Sequence, residues 1–280
     1  MTRPEAPSLP GPALLFCPAD RPDRYPKALA AADGVILDLE DGVGAGGKDE
    51  ARGALAASDL DPARVIVRVN ATGTPEHAAD LAALRRTGYR TVMLPKTETR
   101  AQLNEFGDNW HVVALCETAL GVVNAAEIAA APNVIAVMWG AEDLIASMGG
   151  RSSRFPDGRY RDVALHARSA VLLAASAHGR PAIDAVYVNI PDLAGLAAES
   201  EDAAASGFRL KGCIHPSQVA VVRKAFQADE AQVAWARRVI AAARDAGARD
   251  KGAIKVDGQM VDAPLIRQAE AILASVAGGA

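Results

Sequence analysis

The chain has 280 residues, half of them hydrophobic but only 4% aromatic, and a formal net charge of -4. That length supports a sizeable core and one or two domains, and the charge gives no bulk attraction to nucleic acid or to a membrane surface. No apolar run approaches the ~20 residues of a membrane span, and the Pro-rich start "MTRPEAPSLPGP" has no apolar signal-peptide stretch, so a cytoplasmic protein with a loose leader over residues 1–12 is expected.

From residue 13 onward, short β-rich runs alternate with Ala-rich helical stretches. "ALLFCPA" (13–19) precedes a helix over 22–32, "VILDLE" (35–40) one over 48–58, and "VIVRVN" (65–70) one over 74–86. "TVMLPK" (91–96) precedes 98–106, "HVVALCE" (111–117) precedes 119–131, and "VIAVMWG" (134–140) precedes a long helix around 160–179. "AIDAVYV" (182–188) and "LKGCIHP" (210–216) lead to helices over 192–206 and 217–226. Strands apolar on both parities are buried on two faces, as in a parallel sheet covered by helices. Eight consecutive strand–helix units predict a TIM-like (β/α)8 barrel over 13–227. The absence of GxGxxG after the first strand argues against an open dinucleotide-binding sheet. Residues 228–280, with an amphipathic helix, a Gly-flanked segment and a second helix, read as a C-terminal helical arm whose apolar faces need another surface, such as a neighbouring subunit. Cys17, Cys116 and Cys213 each lie in an apolar run and are expected to be buried thiols.

Barrel enzymes place their chemistry at the C-terminal strand ends. Those ends carry Asp38, Glu40 and Asp41, then Arg68 and Asn70, Lys96, Glu117, Glu142 with Asp143, and His215. Any one of these could be a solvated rim residue; their recurrence over six strands points to a site. Glu117 and Asp143, on adjacent strands, suit a hard divalent cation such as Mg²⁺, which keeps open positions for water and substrate. Alternatively, Glu117 satisfies a helix N-terminus and Asp143 is an N-cap. Arg68 is a charge on a very apolar strand and requires an anion. That anion is either a carboxylate of the protein, Asp38 or Glu40, or a bound carboxylate gripped bidentately.

Read together, "LFCPADRPDRYPKAL", "GVILDLEDGV", "VIVRVN", "VMLPKTET", "ALCETALGVVNAAEIAA", "WGAEDLIASMGG", "CIHPSQVAVVRKAF" and "GQMVDAPLIRQAE" span nearly the whole chain in order. In them the sequence resembles the β subunit of citrate lyase and its stand-alone relatives, within the group of malyl-CoA, citramalyl-CoA and related hydroxyacyl-CoA lyases. The resemblance implies Mg²⁺ held by Glu117 and Asp143, with Arg68 gripping a 2-keto acid. It also implies an oligomer, commonly a homotrimer, in which Asp262 of "GQMVDAP" is the acid–base group, carried on an arm that reaches a neighbour's barrel. The implied reaction is reversible cleavage of a 3-hydroxyacyl-CoA (citryl-, malyl-, citramalyl- or hydroxymethylglutaryl-CoA) to acetyl-CoA and a 2-keto acid such as oxaloacetate.

Around that core, main-chain N–H groups of the Gly140, Ala141, Glu142 turn are expected near the keto-acid oxygens. Asp38, Glu40 and Asp41 are expected to hold Arg68 and metal-bound water in place. Arg21, Arg24 and Lys48 are candidates for the CoA phosphates. Two other activities fit the same residues: an Mg²⁺-dependent aldolase acting on free 2-keto acids, and a citrate lyase subunit that acts with its partner subunits on an acyl-carrier-protein thioester only.

Overall fold

The structure, a computed structural model, describes residues 8–245 and 253–277. Eight parallel strands close a barrel in chain order: β1 Ala13–Pro18, β2 Gly34–Asp38, β3 Val65–Arg68, β4 Thr91–Leu94, β5 His111–Cys116, β6 Val134–Trp139, β7 Ala182–Asp184 and β8 Leu210–Cys213. β1 pairs with β8 through Ala13–Lys211, Leu14–Gly212 and Leu15–Cys213, which completes the ring. The expected (β/α)8 barrel is therefore observed.

Alternation along each strand assigns the interior. Leu14, Ile36, Ile66, Met93, Val113, Leu115, Ala136, Met138, Ile183 and Leu210 pack into one buried cluster, with Phe16 against it. Gly212 keeps this interior open: a Cβ there would lie 2.9 Å from Val186 Cγ1 and 3.1 Å from Met138 Cε. All three cysteines are free and buried, and burial pushes the Cys116 thiol up to about 12.

The helical stretches differ from expectation in three places, one being a short helix, Ala141–Ser147, that precedes the long one, Asp162–Ala177. The 119–131 segment is two short helices, Ala119–Val123 and Ala125–Ala129, broken at Asn124, whose side-chain amide donates to the Glu98 carbonyl instead. The 98–106 segment has a four-residue helix, Arg100–Leu103, then 3₁₀ turns that Gly107 interrupts at φ 57°. β7 is also shorter than its apolar run. It ends at Asp184, a buried acid that binds Lys211 Nζ (2.9 Å), Arg168 Nε (2.9 Å) and the Trp139 indole N–H (2.7 Å).

The chain divides into two compact units, Met1–Arg223 and Lys224–Ala280. In the second unit, helix Glu230–Asp245, the antiparallel pair β9 Ala253–Val256 and β10 Gln259–Asp262, and helix Ala263–Ala277 form a small core of their own. Ala236, Val239, Val256, Val261 and Ala269 are buried in it. Asp257 and Gly258 join the two strands with φ of 49° and 84°, the left-handed pair that a tight hairpin turn requires. Part of the arm's apolar surface is thus covered within the unit, while Met260 and Val276 stay exposed.

Candidate active site

The inward parity that fills the barrel with Ile36, Ile66, Leu115 and Met138 continues one step further to Asp38, Arg68, Glu117 and Gly140. Two residues along a strand return to the same face, so the layer above the apolar plug is ionic. Asp38 and Arg68 are direct register partners of β2 and β3. Arg68 Nε and Nη2 donate to the two Asp38 oxygens at 2.7 and 2.6 Å, a bidentate fork. The remaining capacity of Asp38 is filled by the N–H groups of Glu40 (2.9 Å) and Gly42 (2.8 Å). A Cβ at Gly42 would sit 2.5 Å from Asp38 Oδ2, so the turn needs glycine for its close approach.

Glu40 bridges to the next strand. Its Oε1 accepts from Lys96 Nζ at 2.6 Å. Its Oε2 lies 3.0 Å from Arg68 Nη1, yet off the N–H direction, so the contact is an ion pair with no hydrogen bond. Burial raises the Glu40 carboxyl above its usual range, while Arg68 and Lys96 pull the other way. For Arg68, burial alone would favour loss of charge, but the bonds to Asp38 and the charges of Asp38, Glu40 and Glu117 hold it firmly cationic. The ring of Phe16 lies 5.1 Å from its guanidinium carbon.

Glu117 follows β5 and is 3% exposed. Burial, then the charges of Asp143 and Glu40, push its carboxyl up to about 8, with Lys96 and Arg68 opposing. Its Oε1 accepts the Lys96 main-chain N–H at 3.1 Å. Gly140 makes room for it: a Cβ there would fall 2.8 Å from Glu117 Oε2 and 2.9 Å from Glu117 Cβ. Gly140 caps helix Ala141–Ser147, so Asp143 lies in the first turn and is not the N-cap. Asp143 is partly exposed, with Oδ1 3.4 Å from Lys96 Nζ.

Asp38, Glu40, Glu117 and Asp143 therefore face two cations, Arg68 and Lys96. With all four acids ionised, as a bound cation requires, the array is two positive charges short, and its least compensated member is the buried Glu117, which holds a proton in the cation's place. An all-oxygen donor set with that deficit suits one hard divalent cation. Among the described residues no group of three or more His, Cys, Asp or Glu side chains is arranged to hold a metal ion. An ion on Glu117 and Asp143 would fill its other positions with water or substrate oxygens.

Several expected residues take other places. Asp41 is exposed on the turn and adds its charge beside Glu40, with Arg68 held by Asp38 and Glu40 alone. The Glu142 carboxylate accepts from Ser153 Oγ at 2.7 Å and is engaged within the protein. Lys48 spends its three donors on Leu39 O, Glu40 O and Asn70 Oδ1, so it braces the β2 turn and has no N–H left for a phosphate. Arg21 and Arg24 are exposed, and Arg21 pairs with Asp23. His215 is exposed and bonded to Ser217. Asp262 ends β10 in the second unit, partly buried. Lys96, expected from sequence only as a strand-end residue without an assigned role, is the one residue that touches three of the four acids. Its placement comes from the left-handed backbone at Lys96 itself (φ 50°), which strand pattern does not reveal.

Residues 13–216 match the HpcH/HpaI aldolase/citrate lyase family model. A citrate lyase subunit beta-like protein of Mycobacterium tuberculosis is 57% identical over 263 residues, 94% of each chain. The human mitochondrial citramalyl-CoA lyase is 33% identical, over 94% of this chain and 84% of its own length. A crystal structure of CitE from Mycobacterium tuberculosis in complex with magnesium, acetoacetate and coenzyme A superposes with a TM-score of 0.91 at 56% identity, over 96% of this chain and 98% of that one. With its closed barrel, its ionic layer and these relatives, the chain belongs to the HpcH/HpaI aldolase/citrate lyase family.

Proposed function

We propose that this protein is a Mg²⁺-dependent carbon–carbon lyase that reversibly cleaves a 3-hydroxyacyl-CoA to acetyl-CoA and a 2-keto acid. The observation that carries the proposal is the two-charge deficit around a buried Glu117 beside a locked Arg68. Glu117 and Asp143 would hold the ion, which when bound supplies Lewis acidity and a template for the keto and carboxylate oxygens. Arg68 is oriented in advance by Asp38, so its charge faces the site with no reorganisation at the moment when negative charge develops on the substrate oxygen. The Gly140–Glu142 turn adds main-chain donors at the same rim. Asp262 is assigned the proton transfer at the acetyl methyl group: as a carboxylate it removes that proton in synthesis, and as the carboxylic acid it gives it to the enolate carbon in cleavage. It would act on the barrel of a neighbouring copy within a homo-oligomer, probed below.

The acyl group is assigned to the citryl, malyl and citramalyl class, because each presents a 2-hydroxycarboxylate to the same cation and arginine and releases a 2-keto acid; hydroxymethylglutaryl-CoA, which would release a 3-keto acid, falls outside it and serves as the negative comparison. The test is release of acetyl-CoA from each thioester by the purified chain, with Mg²⁺ and with EDTA. Metal-dependent release from at least one is expected. Release only from acyl-carrier-protein thioesters would make the chain a subunit of a larger lyase, and cleavage of free 2-keto acids alone would make it an aldolase.

A further inference from the structure

Lys96 is held in an unfavourable backbone conformation. Its φ is 50°, and the only other described non-glycine residue with positive φ is Asp257 of the hairpin. Such a conformation is unfavourable for a residue with a side chain, and glycine would avoid it. The contacts made there by Lys96 offset that cost. Its N–H reaches Glu117, while its ammonium lies 2.6 Å from Glu40, 3.4 Å from Asp143 and 3.9 Å from Glu117. The side chain stays 35% exposed, so it faces the site and is not sealed in the wall.

Resting on the metal assignment above, we infer that Lys96 is a charge-setting, positioning residue that weakens the hold of the acid array on a divalent cation and strengthens its hold on an anionic keto acid. With the four acids ionised in the ion-loaded state, the two cations Arg68 and Lys96 leave a deficit of two charges, matched by one divalent ion. Without Lys96 the deficit is three, and the ion-loaded site stays net negative and repels a carboxylate ligand. Coulomb's law therefore requires opposite signs for the two ligands. A residue that only braced the fold would lower both affinities together.

The experiment is calorimetry on the full chain with Mg²⁺ alone, then with oxaloacetate at saturating Mg²⁺. Lys96→Gln keeps a hydrogen-bond donor for Glu40 without the charge. Lys96→Gly relieves the positive φ, retains the N–H to Glu117 and gives a folded comparison. Both should bind Mg²⁺ at least several-fold more tightly than wild type and oxaloacetate at least tenfold more weakly; Lys96→Arg should return both toward wild type. Affinities that fall together, or that do not change, overturn the role of Lys96 while leaving the metal assignment intact. Wild-type protein that takes up no Mg²⁺ overturns the metal assignment and the role of Lys96 with it.

Discussion

Glu117 offers a thermodynamic test that needs no substrate. Its carboxyl is raised from an ordinary 4.5 to about 8 by burial and by Asp143 and Glu40. Between those values the folded state binds a proton that the unfolded state does not. Its contribution to stability is thus fully present below pH 4.5 and is lost as pH rises through about 8. At about 1.4 kcal/mol per pH unit the ceiling is roughly 5 kcal/mol. Relaxation of Lys96 and the neighbouring acids reduces it, so about 2–4 kcal/mol is expected. Glu117→Gln removes the titration, and its amide oxygen can still accept the Lys96 N–H. In EDTA, calorimetric unfolding from pH 5 to 8.5 should show wild type losing stability relative to the variant, with the variant melting several degrees higher at pH 8. Mg²⁺ should reverse the order, because it stabilises only the protein that binds it. Parallel pH profiles in EDTA, or a variant less stable at pH 8, would refute both the buried charge and its cause.

Gly140→Ala is an isolated packing test: φ is -129°, which any residue adopts, so its effect arises from the new methyl group pressing on Glu117. A loss of about 1–3 kcal/mol in thermal unfolding and weaker Mg²⁺ binding by calorimetry are expected, and unchanged binding would detach Glu117 from the metal. Arg68→Lys keeps the charge but cannot fork Asp38; a stability loss of about 1–3 kcal/mol in denaturant titration and a steep fall in turnover are expected, and a Lys variant with normal turnover would make Arg68 purely structural. Asp262→Asn should keep metal binding yet lose methyl-proton exchange of acetyl-CoA, followed by NMR in heavy water. Mixed oligomers of Asp262→Asn and Glu117→Gln subunits should regain partial activity, and mixed oligomers without recovery would place Asp262 and its metal on the same subunit.

Strand and helix alternation, and with it the closed barrel, was legible in the sequence because hydrophobic period and length are local properties. So was the concentration of Asp38, Glu40, Arg68, Glu117 and Asp143 at strand ends, since a barrel's reactive rim follows from strand direction. The sequence left open whether Arg68 grips the protein or a ligand. Only the register of β2 against β3 decides that Asp38 faces Arg68 and closes a bidentate fork. It also gave no reason to single out Lys211 of β8, which proves fully buried against Asp184, because two charges distant in sequence can be buried only where folding brings them together. The same applies to Lys48, whose donors are taken by carbonyl oxygens of the β2 turn and by Asn70, 22 residues away. Lys96 is the sharpest case: strand parity places it on no particular face, and only its left-handed turn swings the ammonium among acids delivered by three other strands. Composition and pattern determine which groups a chain can bring to its rim. Tertiary structure decides which charges neutralise each other there and which remain for a ligand, because electrostatic pairing depends on distances between segments that sequence spacing does not encode.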